Sequence, residues 1–385
     1  MKQGWEVKKL GDVCELYQPK TISSKEMVDD GKYPVFGANG IIGKYDKYNH
    51  EEPQLLITCR GATCGTINIS EPKSWINGNA MVVRPKDNSL SLKFIEYLFL
   101  GGIDISKTIT GAAQPQITRQ TLSPVLISYP SSIQEQQRIV AILDEAFAAI
   151  AKVKANNEQN LKNAKELFES YLQGVFENKG EDWEEKSLSE ICFKITDGSH
   201  NPPKGIDFSE YLMISSKNVN NDFIDLDSPR YLKKEDFISE NKRTEVIEGD
   251  VLLTIVGTIG RVAVVTNEHK YFTLQRSVAV LKPNKDIISS RFLMFSLRNI
   301  FEELNENARG VAQKGLYLNQ IRSIEISIPK LKTQQIIVEK IDYLLTETKK
   351  LEDIYQNKIN DLEELKKSVL QKAFSGELKT AKVLV

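Results

Sequence analysis

Two kinds of hydrophobic pattern alternate along this chain. Short runs of Val, Ile and Leu, bounded by turn residues, fall at Leu55-Leu56-Ile57-Thr58, Met81-Val82-Val83, Val251-Leu252-Leu253-Thr254-Ile255 and Ser277-Val278-Ala279-Val280-Leu281. Such runs predict strands. From Val140, and again from Val338, the spacing becomes seven. Val140, Phe147, Lys154, Leu161, Phe168 and Val175 share one seam position, and Leu143, Ile150, Asn157, Ala164 and Tyr171 the other. The second series is Val338, Leu345, Glu352, Ile359, Lys366 and Ala373, with Ile341, Thr348, Tyr355, Leu362 and Val369. About five heptads each predict a coiled coil rather than two surface helices. Pro130 and Pro329 precede the starts, and Gly376 offers a stop for the second helix. Helices of about 35–40 residues would be about 55–60 Å long. The polar seam residues Lys154, Asn157, Glu352 and Lys366 either fix register or solvate a rim, and the pattern leaves both open.

The two patterns occur twice because the chain repeats itself. At a shift of about 198 residues, Gln136-Gln137 lies over Gln334-Gln335, Val140 over Val338, Asp144 over Asp342 and Leu172-Gln173-Gly174-Val175-Phe176 over Leu370-Gln371-Lys372-Ala373-Phe374. Gly111-Ala112-Ala113-Gln114 lies over Gly310-Val311-Ala312-Gln313, each followed by a β-branched run ending at Pro130 or Pro329. Nearer the start, Trp5-Glu6-Val7-Lys8-Lys9-Leu10 matches Trp183-Glu184-Glu185-Lys186-Ser187-Leu188 at a smaller shift, so the second copy carries insertions in its early loops. A period this long is a duplicated domain and not a solenoid. The reading is α+β: two similar domains, 1–130 and 179–329, each followed by a long spacer helix, 131–178 and 330–385. Each domain adds a short helix, around Phe94–Phe99 and Phe292–Leu297.

Composition narrows the class. The chain has 385 residues, 41% hydrophobic and 27% charged, the values of an ordinary globular protein. It carries no apolar run long enough to span a bilayer and no signal-peptide core, so a cytoplasmic protein with no membrane partner is expected. Cys14, Cys59, Cys64 and Cys192 form no zinc spacing and read as reduced thiols. Net charge is −1, and neither globular half is basic overall, so contact with nucleic acid must come from local clusters.

Those clusters sit in polar, glycine-rich loops. Gly37-Ala38-Asn39-Gly40 with Lys44 offers backbone amides and a cation, and Arg60-Gly61-Ala62-Thr63 recurs as Gly257-Thr258-Ile259-Gly260-Arg261. Gln114, Gln116 and Arg119 in the first half, and Gln313 and Lys314 in the second, are side chains that bond base edges and phosphates. Lys20 and Asn79 complete the first set; Ser199, His200, Lys217, Asn218 and Arg276 complete the second. Any one such loop is as easily a plain turn, and only recurrence in both copies raises it above that.

At this point the chain resembles the specificity subunits of type I restriction-modification enzymes. Tyr33-Pro34-Val35-Phe36-Gly37-Ala38-Asn39-Gly40-Ile41-Ile42-Gly43-Lys44-Tyr45 and Thr196-Asp197-Gly198-Ser199-His200-Asn201-Pro202-Pro203 are similar to segments of their target-recognition domains. The Gly-x-Ala-Gln segments leading to strand, proline and a Gln-Gln helix start resemble the family's domain end and helix entry. The resemblance implies a host-defence protein whose two domains each read half of a bipartite site in double-stranded DNA. It implies that the long helices pack antiparallel, act as a ruler and dock two modification subunits, which carry the adenine methylation chemistry. Restriction subunits would join them. It implies no cofactor on this chain.

No catalytic set emerges. Asn201-Pro202-Pro203-Lys204 approaches an adenine-methyltransferase motif, but lysine cannot stack on a flipped base. Gly37 to Lys44 has the wrong glycine spacing for a phosphate loop, and Tyr45 stands where Ser or Thr is needed. His50, His200 and His269 have neither metal spacing nor a nucleophile partner. The expectation is a non-catalytic DNA-binding subunit with no metal; the alternative is a stand-alone DNA binder or coiled-coil scaffold. Arg60 against Val256, and Pro115 against Lys314, predict an asymmetric site.

Overall fold

The structure is a computed structural model and describes residues 4–111, 114–267, 271–307, 315–375 and 377. The chain divides into two compact units, 1–159 with 355–385 and 160–354.

In the first unit the order is β1 (Trp5–Lys9), α1 (Leu10–Val13), β2 (Cys14–Tyr17), β3 (Tyr33–Gly37), β4 (Gly40–Tyr45), β5 (Leu55–Thr58), β6 (Ile67–Ile69), β7 (Trp75–Ile76), β8 (Ala80–Pro85), α2 (Leu92–Tyr97), α3 (Arg119–Leu122), β9 (Leu126–Pro130) and the long α4 (Ile133–Glu177). Strands β2-β8-β5-β6 form an antiparallel sheet. A second sheet, β4-β3-β7, pairs β3 antiparallel with β4 and parallel with β7. Strand β1 closes the domain by pairing with β9, bringing its two ends together. The apolar run Leu55-Leu56-Ile57 is wholly buried because β5 is central and both its faces are covered. Leu55 and Ile57 face the main core with Phe94 and Leu98; Leu56 faces a smaller core with Phe36, Ile76 and Val82.

The second unit repeats this plan in β10 (Glu184–Ser187), α5 (Leu188–Ile191), β11 (Cys192–Asp197), β12 (Leu212–Ile214), β13 (Arg230–Tyr231), α6 (Lys234–Thr244), β14 (Val251–Thr254), β15 (Val262–Val264), β16 (Phe272–Leu274), β17 (Val278–Pro283), α7 (Ser290–Asn307), α8 (Leu318–Arg322), β18 (Glu325–Ile328) and α9 (Leu331–Ser375). Its sheets are β11-β17-β14-β15 and β13-β12-β16, with β10 paired to β18. Strand for strand this is the first unit's order, down to the one parallel pair, β12 with β16. The duplication read from sequence is therefore a duplication of topology. Helix α6 is the main addition, and α7 runs well beyond the short helix expected from Phe292–Leu297.

The long helices have 45 residues each, more than the 35–40 expected. Each enters its unit through one buried glutamine. Gln136 accepts from Ser91 N at 2.8 Å and donates to the carbonyls of Ser89 and Pro130. Gln334 accepts from Ser289 N at 2.9 Å and donates to those of Ile287 and Pro329. Their amides satisfy backbone groups that would otherwise be orphaned at a helix start. The helices pack antiparallel. In the first unit the start of α4 (Ile139, Leu143) shares a core with the end of α9 (Leu370, Ala373). In the second, the end of α4 (Phe168, Leu172) shares one with the start of α9 (Ile341). Phe374 meets Phe94 edge-on in the first unit, and Phe176 meets Phe292 at a tilt in the second.

The polar seam positions divide. Lys154 reaches Glu363 across the helix pair, and Asn157 is buried with its amide on its own helix at Val153 O. Lys366 stays exposed, its ammonium 5.3 Å from the Phe147 ring. Glu352 is half-buried. The expected stop, Gly376, lies outside the described residues.

Candidate nucleic-acid interface

In the first unit four segments converge at one end of the β2-β8-β5-β6 sheet. Beyond β5 the chain bends at Gly61, at φ +89°, a left-handed conformation that glycine adopts without strain. Cys59 N bonds Asn79 O at 3.0 Å, Gly61 N bonds Pro115 O at 3.1 Å, and Ile117 N bonds Cys59 O at 2.9 Å. Arg60, Asn79, Gln114 and Gln116 are thereby held on adjoining strands of backbone, all exposed, with Arg60 bridged directly to Gln116. The hairpin turn at Asn39 joins them: the Thr58 hydroxyl, at the end of β5, donates to Ala38 O and lies 3.2 Å from Asn39 Oδ1. Thr63 is exposed on the same loop as Arg60. Lys44 is not brought to this end. It pairs with Pro34, about 16 Å along the hairpin from the turn at about 3.3 Å per residue. Lys20 and Arg119 line a groove of about 970 Å³ beside β2.

In the second unit the corresponding end gathers 198–200, 215–218, 257–261 and 275–277. Gly198 packs so tightly that a Cβ there would stand 2.0 Å from Leu274 O, which accounts for the glycine in Thr196-Asp197-Gly198-Ser199. Ser199 is buried and acts through its backbone: its N donates to Leu274 O at 2.8 Å and its O accepts from Arg276 N at 2.9 Å. His200 is exposed and held by Asp197 at 2.8 Å. Asn218 is 2% exposed, and its amide is spent on the turn, accepting from Ser215 N and donating to Asp225 O. Lys217, Thr258 and Arg276 are exposed, and Arg261 is steered by Asn220 Oδ1 at 3.3 Å. Gln313 and Lys314 lie outside the described residues, as does His269.

Sequence reasoning passed over three groups that shape these ends. Asn77, buried, ties the 18–22 loop to the β7–β8 turn through Ile22 N and O. Arg243 on α6 pairs with Asp197 and so shares it with His200. Asp222, at φ +74°, anchors the 217–222 loop to Arg298, a nearly buried guanidinium that also pairs with Glu169 of α4. The i,i+3 spacing of Asp197 and His200 is visible in sequence; the other partners are far away in the chain.

His50, in the first unit, is neutral. Burial, and after it the Arg84 charge, hold its pKa below the ordinary imidazole value. Nδ1 faces Asn49 Oδ1, a pure acceptor, so Nδ1 carries the proton and Nε2 accepts from the Tyr17 hydroxyl at 2.8 Å. The cysteines are free thiols, and burial pushes Cys14 and Cys192 up to about 12. Among the described residues no His, Cys, Asp and Glu are grouped so as to hold a metal, and no described helix is long and apolar enough to cross a membrane.

Each unit thus presents, at one end of its sheet, exposed polar and cationic side chains of the kinds that bond base edges and phosphates. Residues 2–163 and 180–363 match the type I restriction modification DNA specificity domain, and the chain belongs to that family. It is 25% identical over 84% of its length to the Type I restriction enzyme EcoBI specificity subunit of Escherichia coli, covering 73% of that protein. It is 23% identical over its whole length to a putative type I restriction enzyme MjaX specificity subunit of Methanocaldococcus jannaschii, covering 94% of it. The fold matches a chain from a structure of a type I restriction-modification system at TM-score 0.78 and 17% identity, over 98% of this chain and 99% of that one. The HsdS subunit of Thermoanaerobacter tengcongensis matches at TM-score 0.57 and 17% identity, over 98% of each. The function is DNA sequence specificity within a type I restriction-modification enzyme.

Proposed function

We propose that the chain reads an asymmetric, bipartite site in double-stranded DNA, one half with domain 1–130 and the other with domain 179–329, and that it performs no catalysis itself. The observation that carries this reading is the loop end built twice with unlike residues, Arg60 in one copy against Val256 in the other, and the sequence differs likewise in having Pro115 against Lys314. Base edges fall to the exposed side chains Asn39, Arg60, Thr63, Asn79, Gln114 and Gln116 in the first half. In the second half they fall to His200, Thr258, Arg261 and Arg276, with Gln313 and Lys314. Lys20, Lys44, Arg119 and Lys217 supply phosphate contacts. Ser199 and Asn218 act by holding the loops that carry these groups.

The helices 131–178 and 330–385 serve as the ruler and as the docking surface for two modification subunits, with restriction subunits joining that assembly in the cytoplasm. Methyl transfer to adenine belongs to the modification subunits. Co-expression with the methyltransferase encoded beside this chain, followed by methylation mapping of host DNA, tests the reading. The expected outcome is one motif with two unlike halves and N6-methyladenine in each. A strictly palindromic motif contradicts it, and absence of association favours the scaffold.

A further inference from the structure

The groove beside β2 has a filled counterpart. In register, Glu15 opposes Arg84 on the first unit's sheet, where Lys194 opposes Lys282 on the second's. Gln54 precedes β5 as Asp250 precedes β14, and Trp75 occupies the place in β7 that Thr273 holds in β16. In the second unit this face is covered by α6, an 11-residue helix, and the turn after it. Glu245 gives its carboxylate to Lys194 and its carbonyl to Lys282 at 2.7 Å; Asp250 accepts from Ile247 N at 2.9 Å; the Thr244 and Thr273 hydroxyls meet at 3.4 Å. In the first unit the segment between β4 and β5, 46–54, contains no helix, and the face is open. Two polar atoms buried there have no partner: Gln54 Oε1, on a side chain 5% exposed, and Trp75 Nε1. Each stands where the second unit has a group satisfied by α6 or the turn that follows it. Buried polar atoms are rarely left so.

We propose that this groove docks a helix of a modification subunit, seated as α6 is seated in the second unit, with its C-terminal turn over Arg84. The proposal rests on the reading above, in which that subunit methylates the bases this domain reads. Methyl transfer there requires the modification subunit to reach the loop end, and the groove opens beside it at Lys20 and Arg119. Charge does not choose the occupant, since Lys20, Arg84, Lys86 and Arg119 line the groove together with Glu15, Glu51 and Glu52, and Glu15 is paired with Arg84; the α6 seat in the second unit and the two orphaned atoms point to a helix. The last turn of such a helix brings the negative end of its dipole towards Arg84, which already pairs with Glu15, and a free carbonyl as acceptor for Trp75 Nε1; the turn beyond it supplies an N–H donor for Gln54 Oε1, as Ile247 N does for Asp250. Because α6 fills the second copy, the groove occurs once per chain. Two modification subunits then bind unequally, only one gaining this contact.

The test uses the full chain co-expressed with its modification subunits, with photo-reactive p-benzoylphenylalanine at position 51, on the groove's exposed rim. The expected adduct maps to a helical segment of the modification subunit. An assembled, methylating complex with an adduct only on DNA or on this chain, or none, overturns the proposal. A complex that does not assemble overturns the underlying reading first. Glu52→Trp, which fills the groove from its rim, is expected to weaken one of the two binding steps about tenfold, leaving the other step and the melting temperature unchanged. Both steps changed alike, or neither changed, overturns it.

Discussion

In the first unit the paired strands β3 and β4 meet through a tight turn at Ala38-Asn39; in the second, β12 and β13 are separated by everything from 215 to 229. That longer loop carries Lys217, Asn218, Asn220 and Asp222, and Asp222 is pinned by Arg298, whose guanidinium lies 4.7 Å from the Phe168 ring. Leu100, half-exposed, stands at the matching place in the first unit, so no such tie exists there. The strand order, the glutamine anchors and the aromatic clusters are the same in both. Duplication has preserved what folds the domain and changed the surface by which it reads, as expected when loops on a rigid scaffold carry specificity.

The largest difference to test is the Arg298 tie. Removing one partner of a buried charge cluster typically costs about 3–5 kcal/mol. Arg298→Ala should therefore destabilise the second unit by about that much, while Leu100→Ala should change the first by under about 0.5 kcal/mol. Hydrogen exchange resolved by unit reads both, and equal losses would break the contrast. Next come the glutamines. Gln136→Ala and Gln334→Ala each orphan a helix-entry set, at about 2–3 kcal/mol. Their effects should agree within about 0.5 kcal/mol, since the two sets are independent and alike. A disagreement beyond 1 kcal/mol, an explicit tolerance set by typical mutant scatter of about that size, would show that the frames are not equivalent.

Removing one heptad from each long helix should shorten the preferred DNA spacer; an unchanged spacer would mean the helices are not the ruler. The smallest effect is a pH dependence confined to the first unit. His50 is held below its ordinary value when folded, so the unfolded chain binds more protons just below about pH 6.5. Stability of that unit should fall as pH drops through this window, and His50→Gln should flatten the slope. A wild-type slope surviving in that variant would assign the proton uptake elsewhere.

Much of this architecture was legible because periodicity reports burial. The heptads, the run at Leu55–Ile57 and the 198-residue shift each map onto an observed element. The strands at Trp5–Lys9 and Glu184–Ser187 were seen only as matching text, because their few residues pair with β9 and β18, far along the chain. Helix α6 was missed for a related reason: Lys234–Thr244 is almost wholly polar, and only contact with β16 and β11 orders it. For the candidate interface, residue type and repeat position indicated Arg60, Asn79, Gln116 and Arg276. Nothing local distinguished an amide free to read from one spent on a turn, as Asn218 is.

The central claim is that each loop end reads its own half of the target. Once the methylated motif is mapped, the direct measurement is the base preference at every position for Arg60→Ala and Arg261→Ala in the reconstituted complex. The account predicts a loss of about 1–3 kcal/mol of discrimination in one half for the first variant and in the other half for the second. Loss in the same half for both, or a uniform loss of affinity with discrimination intact, would contradict it.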